Sequence, residues 1–175
     1  MTLVVEEGPL RLVREFVNTR DIEGGTDAFD SPDELAKWLR RNDLLAAGTA
    51  VTEADRDRAV ELREAVRDLL AGPDERAAEV LSGAARRTRL RPQFSATGTV
   101  RLVSGATGVD AGVGALLAVI AEAMTEGRWH RLKVCRNDSC QWAFFDLSRA
   151  GAGKWCSMAV CGNRSKAAAW RARQR

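Results

Sequence analysis

Cys135-Arg136-Asn137-Asp138-Ser139-Cys140 and, after fifteen intervening residues, Cys156-Ser157-Met158-Ala159-Val160-Cys161 hold all four cysteines of the chain. Two pairs at short spacing, with none elsewhere, are the arithmetic of a tetrahedral four-sulfur metal site. Each short loop sets two sulfurs along one edge of a tetrahedron, and the central segment must fold back to deliver the second pair. Zinc suits such a set, being borderline-soft and binding thiolate at about 2.3 Å. Four thiolates close its shell, so a single Zn2+ held this way is structural and keeps no open position for a reactant. Two disulfides or four free thiols are the competing uses. Disulfides fit poorly with a start, Met1–Leu10, that has Glu6 and Glu7 where an export signal carries basic residues. A reducing cytoplasm is the expected compartment. His130, the lone histidine, reads as a surface or packing residue beside an already sufficient ligand set.

Between the pairs, Trp142–Asp146 is aromatic and strand-like, Ser148–Gly153 is turn material, and Lys154-Trp155 leads into the second pair. The reading is a knuckle, a β-hairpin, then a helix from about Val160 to Arg173: a treble-clef or zinc-ribbon arrangement. Cys161 would sit at the helix start, where free amides and the helix dipole favour thiolate, and Gly162 would let backbone approach the metal. Trp142 and Trp155 are expected to serve as core of this small unit. Asp146 is expected to pair with Arg149 or with an arginine of the helix. Asn163 suits either a nucleic-acid base, a helix cap or a bond to cysteine sulfur.

Outward towards the N-terminus the pattern turns helical. Leu10, Val13 and Val17 form a stripe. A loop at Asp21–Asp30 carries Gly24-Gly25. Ser31 then reads as an N-cap, with Pro32 at the first helical position and Glu34 completing a capping box. Leu35, Trp38 and Leu39 supply that helix's buried face. Thr52 caps the next, whose stripe is Ala59, Leu62, Val66, Leu69 and Leu70, stopped by Gly72-Pro73. Glu61 and Glu64 read as its solvated face. A weaker helix covers Asp74–Ala85, and residues 91–104 read as a β-hairpin. Val113, Leu116, Leu117, Ile120 and Met124 mark a strong amphipathic helix ending near Gly127. The fold class is therefore mainly α with a small β-hairpin: a helical N-terminal domain, 1–127, and a four-cysteine zinc finger, 128–175. No apolar run approaches the roughly 20 residues that span a bilayer.

Charge divides at the same place. Residues 1–127 carry a net −6 and residues 128–175 a net +9, hidden within the overall +3. Four thiolates around one dication carry −2, so the loaded finger keeps +7. Neutralising phosphate is the main term in nucleic-acid affinity. The candidate DNA contacts are Asn163, Arg164, Lys166, Arg171 and Arg173 on the final helix, with Arg149 and Lys154 before it. Arg164, Arg171 and Arg175 share one stripe and Lys166 and Arg173 lie nearly opposite, so the pattern singles out no recognition face. The competing reading packs this helix through Trp170 onto the acidic body.

The run Cys135–Arg149, with Cys140, Trp142, Phe144, Asp146 and Ser148, followed by Trp155-Cys156-Ser157-Met158 and Cys161-Gly162-Asn163-Arg164 with Lys166, strongly resembles the CGNR zinc-finger family. The part before it is similar to the ABATE domain, through Phe16-Val17-Asn18-Thr19, Trp38-Leu39 and Leu62–Val66. The resemblance implies a bacterial stress-related transcription regulator with the finger as DNA contact. Ala150-Gly151-Ala152-Gly153 departs from the arginine- or asparagine-containing turn of many members, which removes a phosphate contact if that turn makes one. No nucleophile elbow, P-loop or HExxH motif is present, and Gly112-x-Gly114 lacks the third glycine of a dinucleotide fingerprint, so an enzyme is not expected. The alternative is a zinc-stabilised protein-interaction adaptor without DNA binding. The helical domain is the expected seat of any small-molecule ligand or homodimer contact.

Overall fold

The computed structural model describes residues 8–174. Glu6, Glu7 and Arg175, which entered the sequence argument, lie outside them. The order is α1 (Leu10–Val17), β1 (Arg20–Asp21), β2 (Thr26–Asp27), α2 (Pro32–Arg41), α3 (Glu53–Ala71), α4 (Glu75–Arg87), β3 (Arg91–Phe94), β4 (Val100–Val103), α5 (Gly108–Thr125), a 3-10 turn (Trp129–Arg131), β5 (Leu132–Val134), β6 (Ala143–Phe145), a wide π-type turn (Met158–Gly162) and α6 (Asn163–Arg173). The strands form three antiparallel pairs, β1–β2, β3–β4 and β5–β6.

Local chemistry explains the helix ends. The Ser31 hydroxyl accepts from the Glu34 amide at 3.3 Å, with Pro32 at the first helical position. The return half of that box is replaced by a Glu34–Lys37 ion pair. A full box forms one helix later: Thr52 accepts from the Asp55 amide, and the Asp55 carboxylate accepts from the Thr52 amide at 2.9 Å. Such caps contribute about 1 kcal/mol each.

The core gathers α1, α2, α3 and α5. Phe16, Phe29 and Trp38 form an aromatic triangle with centroids 5.6–5.9 Å apart. α5 is long and apolar enough to cross a membrane by length and composition, although no run of that kind was expected; half of it is buried, and it packs on α1, α4 and β4 as a core helix. Its Gly112 and Gly114 have a packing role. A Cβ on Gly112 would lie 2.3 Å from the Leu44 carbonyl oxygen, and one on Gly114 would lie 2.5 Å from Ser104 Cβ. Met124, expected inside, is 40% exposed.

The hairpin read over 91–104 forms, paired Arg91 with Val103 through Phe94 with Val100. Its second strand packs on α5, and Phe94 and Val100 stand exposed.

Packing does not stop at the charge step near residue 128. Leu132, Val134 and Ala143, from β5 and β6, belong to the same buried cluster as α1 and α3. The Asn18 side chain, just past α1, donates to the Ala143 carbonyl at 2.9 Å and accepts from its amide at 2.7 Å. Arg67 of α3 donates to the Gln141 carbonyl and the Val17 carbonyl, both at 2.7 Å. The strand flanking the knuckle is thus rooted in the helical body.

Candidate metal centre and the basic surface around it

The hairpin of the finger differs from the sequence reading. β6 pairs back with β5, so the knuckle Cys135–Cys140 lies inside the β5–β6 connection and not ahead of a hairpin. Alternation decides this: Leu132, Val134 and Ala143 point into the body core, a demand no pairing with the polar Lys154 segment would meet. That segment reaches the knuckle through the Arg136 amide, which donates to the Lys154 carbonyl at 2.9 Å.

The second pair is set by the wide turn that precedes α6. The Gly162 amide reaches back to the Ser157 carbonyl at 3.0 Å, and the Ser157 hydroxyl accepts from the Val160 amide at 3.3 Å. This brings Cys156 Sγ and Cys161 Sγ to 3.7 Å, and Cys140 Sγ to 3.7 Å from Cys156 Sγ. All four sulfurs lie within 4.8 Å of one another. A disulfide needs about 2.05 Å, and all four cysteines are free. A tetrahedral zinc with bonds of about 2.3 Å separates its sulfurs by about 3.8 Å. The observed spacing fits one structural Zn2+. Cys135, Cys140 and Cys161 are buried, with Trp155 packed against them.

Without an ion, burial pushes the Cys140 thiol up to about 11 and Cys156 higher still. Cys161 is the exception. Burial raises it, but bonds from the Asn137 amide and the other sulfurs more than offset this and leave it below its ordinary value. The side chain that touches a sulfur is therefore Asn137, with Nδ2 3.7 Å from Cys161 Sγ. Asn163 does not: its Nδ2 donates to the Ala159 carbonyl at 3.0 Å and the residue is exposed. Gly162 has a packing role as well. A Cβ there would sit 3.0 Å from the Met158 side chain and 3.4 Å from the Trp155 indole. His130 stands exposed with Nδ1 2.7 Å from the Gly127 carbonyl, apart from the cysteines.

Asp146 pairs with Lys133, not with Arg149 or α6. Lys133 Nζ donates to Asp146 Oδ2 at 2.7 Å and also to the Gly151 carbonyl. The Ser148 and Gly153 amides donate to the same carboxylate at 3.0 and 2.7 Å. The Ala150–Gly153 turn is thereby committed inward, and Gly153 must be glycine because a Cβ would meet Asp146 Oδ1 at 2.8 Å. Burial pushes the Asp146 carboxyl up, but Lys133, Ser148 and Gly153 outweigh it and hold the group well below the usual carboxylate range. Since the folded value lies below the unfolded one, this stabilisation is complete above about pH 5 and is lost as pH falls below about 4. Asp146→Asn is expected to lower the urea midpoint at pH 7 and to flatten the acid limb of a stability–pH curve. A variant with an unchanged acid limb would refute this assignment.

The remaining predicted contacts separate spatially. Arg164, Lys166, Arg171 and Arg173 stand exposed on α6, and Arg164 pairs with Glu23 in the β1–β2 turn of the body. Arg149 is exposed on the 148–151 turn. Lys154 lines a different cavity, ≈ 840 Å³, with Leu69, Leu70, Trp129, His130 and Arg136 between α3 and β5. Trp155 packs on the cysteines as expected, but Trp142 is 37% exposed and Trp170 is 58% exposed.

Sequence reading missed a buried ion network behind the finger. Arg63 is fully buried in α3 and grips Asp27 bidentately at 2.6 and 2.7 Å. It also donates to Glu64 at 2.8 Å and Thr19 at 3.2 Å, and lies 5.5 Å over the Phe29 ring. Glu64 bonds Arg67 as well, at 3.1 Å, so it is no solvated acid. The signal was present: Ala59, Arg63, Val66, Arg67 and Leu70 share the inward stripe of α3, two of its positions being arginine.

A closed four-thiolate centre, hairpin-rooted in a helical body and followed by a basic helix, defines a zinc-finger protein. The CGNR zinc finger model matches residues 131–174, and the ABATE model, described as "Putative stress-induced transcription regulator", matches residues 10–126. The chain belongs to the ABATE family and carries a C-terminal CGNR zinc finger. No curated protein matches it.

Proposed function

We propose that this protein is a cytoplasmic transcription regulator without enzymatic activity, whose zinc finger binds DNA. The observation that carries the reading is the +9 of residues 128–175 against the net −6 of residues 1–127, with Arg136 exposed on the knuckle and Arg164, Lys166, Arg171 and Arg173 exposed on α6. Asp146, one of only two acids in that segment, is neutralised internally by Lys133, so it does not oppose an approaching phosphate. The metal scaffolds this surface and performs no chemistry, its four thiolates leaving no position for a substrate. The cavity beside Trp129 and Lys154 adjoins Cys135 and is where a small-molecule signal would reach the finger.

The test is titration of a labelled mixed-sequence duplex with zinc-loaded protein across a salt series. Affinity is expected to fall linearly with log salt, at a slope of roughly 0.9 per phosphate neutralised, and to vanish when the metal is removed. Salt-insensitive or absent binding would overturn the reading and favour the adaptor alternative.

A further inference from the structure

In sequence, cations surround α6, but the fold sorts them. Arg164, Ala168 and Arg171 share one face, at i, i+4 and i+7. That face lines a groove of ≈ 380 Å³ whose other wall is the knuckle, Arg136–Ser139, with Trp155 also in the lining. Lys166 and Arg173 project from the opposite side of the helix and line none of it. Arg136 therefore converges with Arg164 and Arg171, although nothing in the charge pattern set it apart. Asp138 is the single acid in the lining. Ala168 leaves the space between the two helix arginines open. Arg164 and Arg171 are about 10 Å apart along the helix axis, a length over which one strand of a duplex presents several charges, one per roughly 3.4 Å. Guanidinium forks suit phosphate oxygens geometrically, where an ammonium offers only a point charge.

Two of the three arginines, Arg136 and Arg171, have no ion-pair partner among the described residues. The third, Arg164, holds the Glu23 carboxylate from the body. Both side chains are about half exposed, at 51% and 44%, so this is a weak, exchangeable pair. A carboxylate there takes the place a phosphate oxygen would take.

We propose that a DNA strand threads the groove between the knuckle and α6, its phosphates held by Arg136, Arg164 and Arg171, and that Glu23 competes with it for Arg164. The proposal builds on the DNA-binding reading above and narrows it to one face of the finger.

The experiment is the same duplex titration, run on zinc-loaded full-length variants checked for one zinc per chain. Arg136→Ala, Arg164→Ala and Arg171→Ala are each expected to weaken binding several-fold and to lower the salt slope by about one. Lys166→Ala and Arg173→Ala should leave the slope unchanged. Glu23→Gln should tighten binding more than Glu61→Gln, which removes the same charge from an exposed site on α3, and its gain should disappear in an Arg164→Ala background. If wild type fails to bind, both the general reading and the groove fall. If wild type binds but the helix-opposite pair matters as much as the groove trio, the groove alone is wrong. A Glu23→Gln effect equal to Glu61→Gln, or persisting without Arg164, would overturn the competition.

Discussion

Cys156→Ser will reduce bound zinc from one ion per chain to a small fraction and will release the order of the knuckle, residues 135–140, and of residues 154–161. Cys156 Sγ lies 3.7 Å from both Cys140 Sγ and Cys161 Sγ, and its loss removes one corner of the tetrahedron with the three edges that meet there. The finger has little else to hold it. Beyond β5–β6, its buried apolar content is the cysteines with Trp155 against them, and structural zinc supplies on the order of 10 kcal/mol to such units. Metal analysis, the near-ultraviolet circular dichroism of the tryptophans, and amide exchange over residues 135–140 and 154–161 read the outcome. A chelator should reproduce it in wild type, more readily at low pH, because thiols raised by burial must give up protons to bind the ion. A serine variant that keeps its zinc and its exchange protection would contradict the ligand assignment.

Arg63→Ala is expected to destabilise the whole protein by about 3 kcal/mol, the low end for breaking a buried charge cluster. The low end applies because Asp27 and Glu64, which lose their partner, are each about a third exposed and regain some water. Asp27 and Glu64 are pushed up by burial, yet Arg63 holds both below their ordinary values. The cluster's stabilisation is therefore full above about pH 5 and drains away under acid. Arg63→Lys should recover little, since a point charge cannot reproduce the two-pronged grip on Asp27 with a third bond to Glu64. Urea denaturation at pH 7 measures both, and an alanine variant within about 0.5 kcal/mol of wild type, the usual surface range, would mean the cluster is not a structural keystone.

The two sites differ in how far the sequence revealed them. Cysteine spacing, helix stripes and the caps at Ser31 and Thr52 are local properties, so they were legible residue by residue, as were both ends of α3 and, to within two residues, those of α4. Arg63 and Arg67 were not, because a cation on a helix is ordinarily solvated; Asp27, sent back by the β1–β2 turn, makes the burial of Arg63 tolerable, and the Val17 and Gln141 carbonyls that of Arg67. Asn18 gave no sign of its bonds to Ala143, which lie 125 positions away. The pairing of β6 with β5 was misjudged for a related reason. What fixes it is the body core that Leu132, Val134 and Ala143 enter, a partner absent from the finger's own sequence. The face of α6 that lines the groove depends likewise on where the knuckle comes to rest.

The Asn18–Ala143 and Arg67–Gln141 bonds bear on how this pair of modules is inherited. A finger grafted onto an unrelated carrier would present Leu132, Val134 and Ala143 to water and strand three main-chain groups, while the bereft carrier would keep an open apolar seat beneath α1. Recombination at the seam near residue 128 thus damages both halves, and lineages should pass them on together, co-varying across the seam and seldom shuffled.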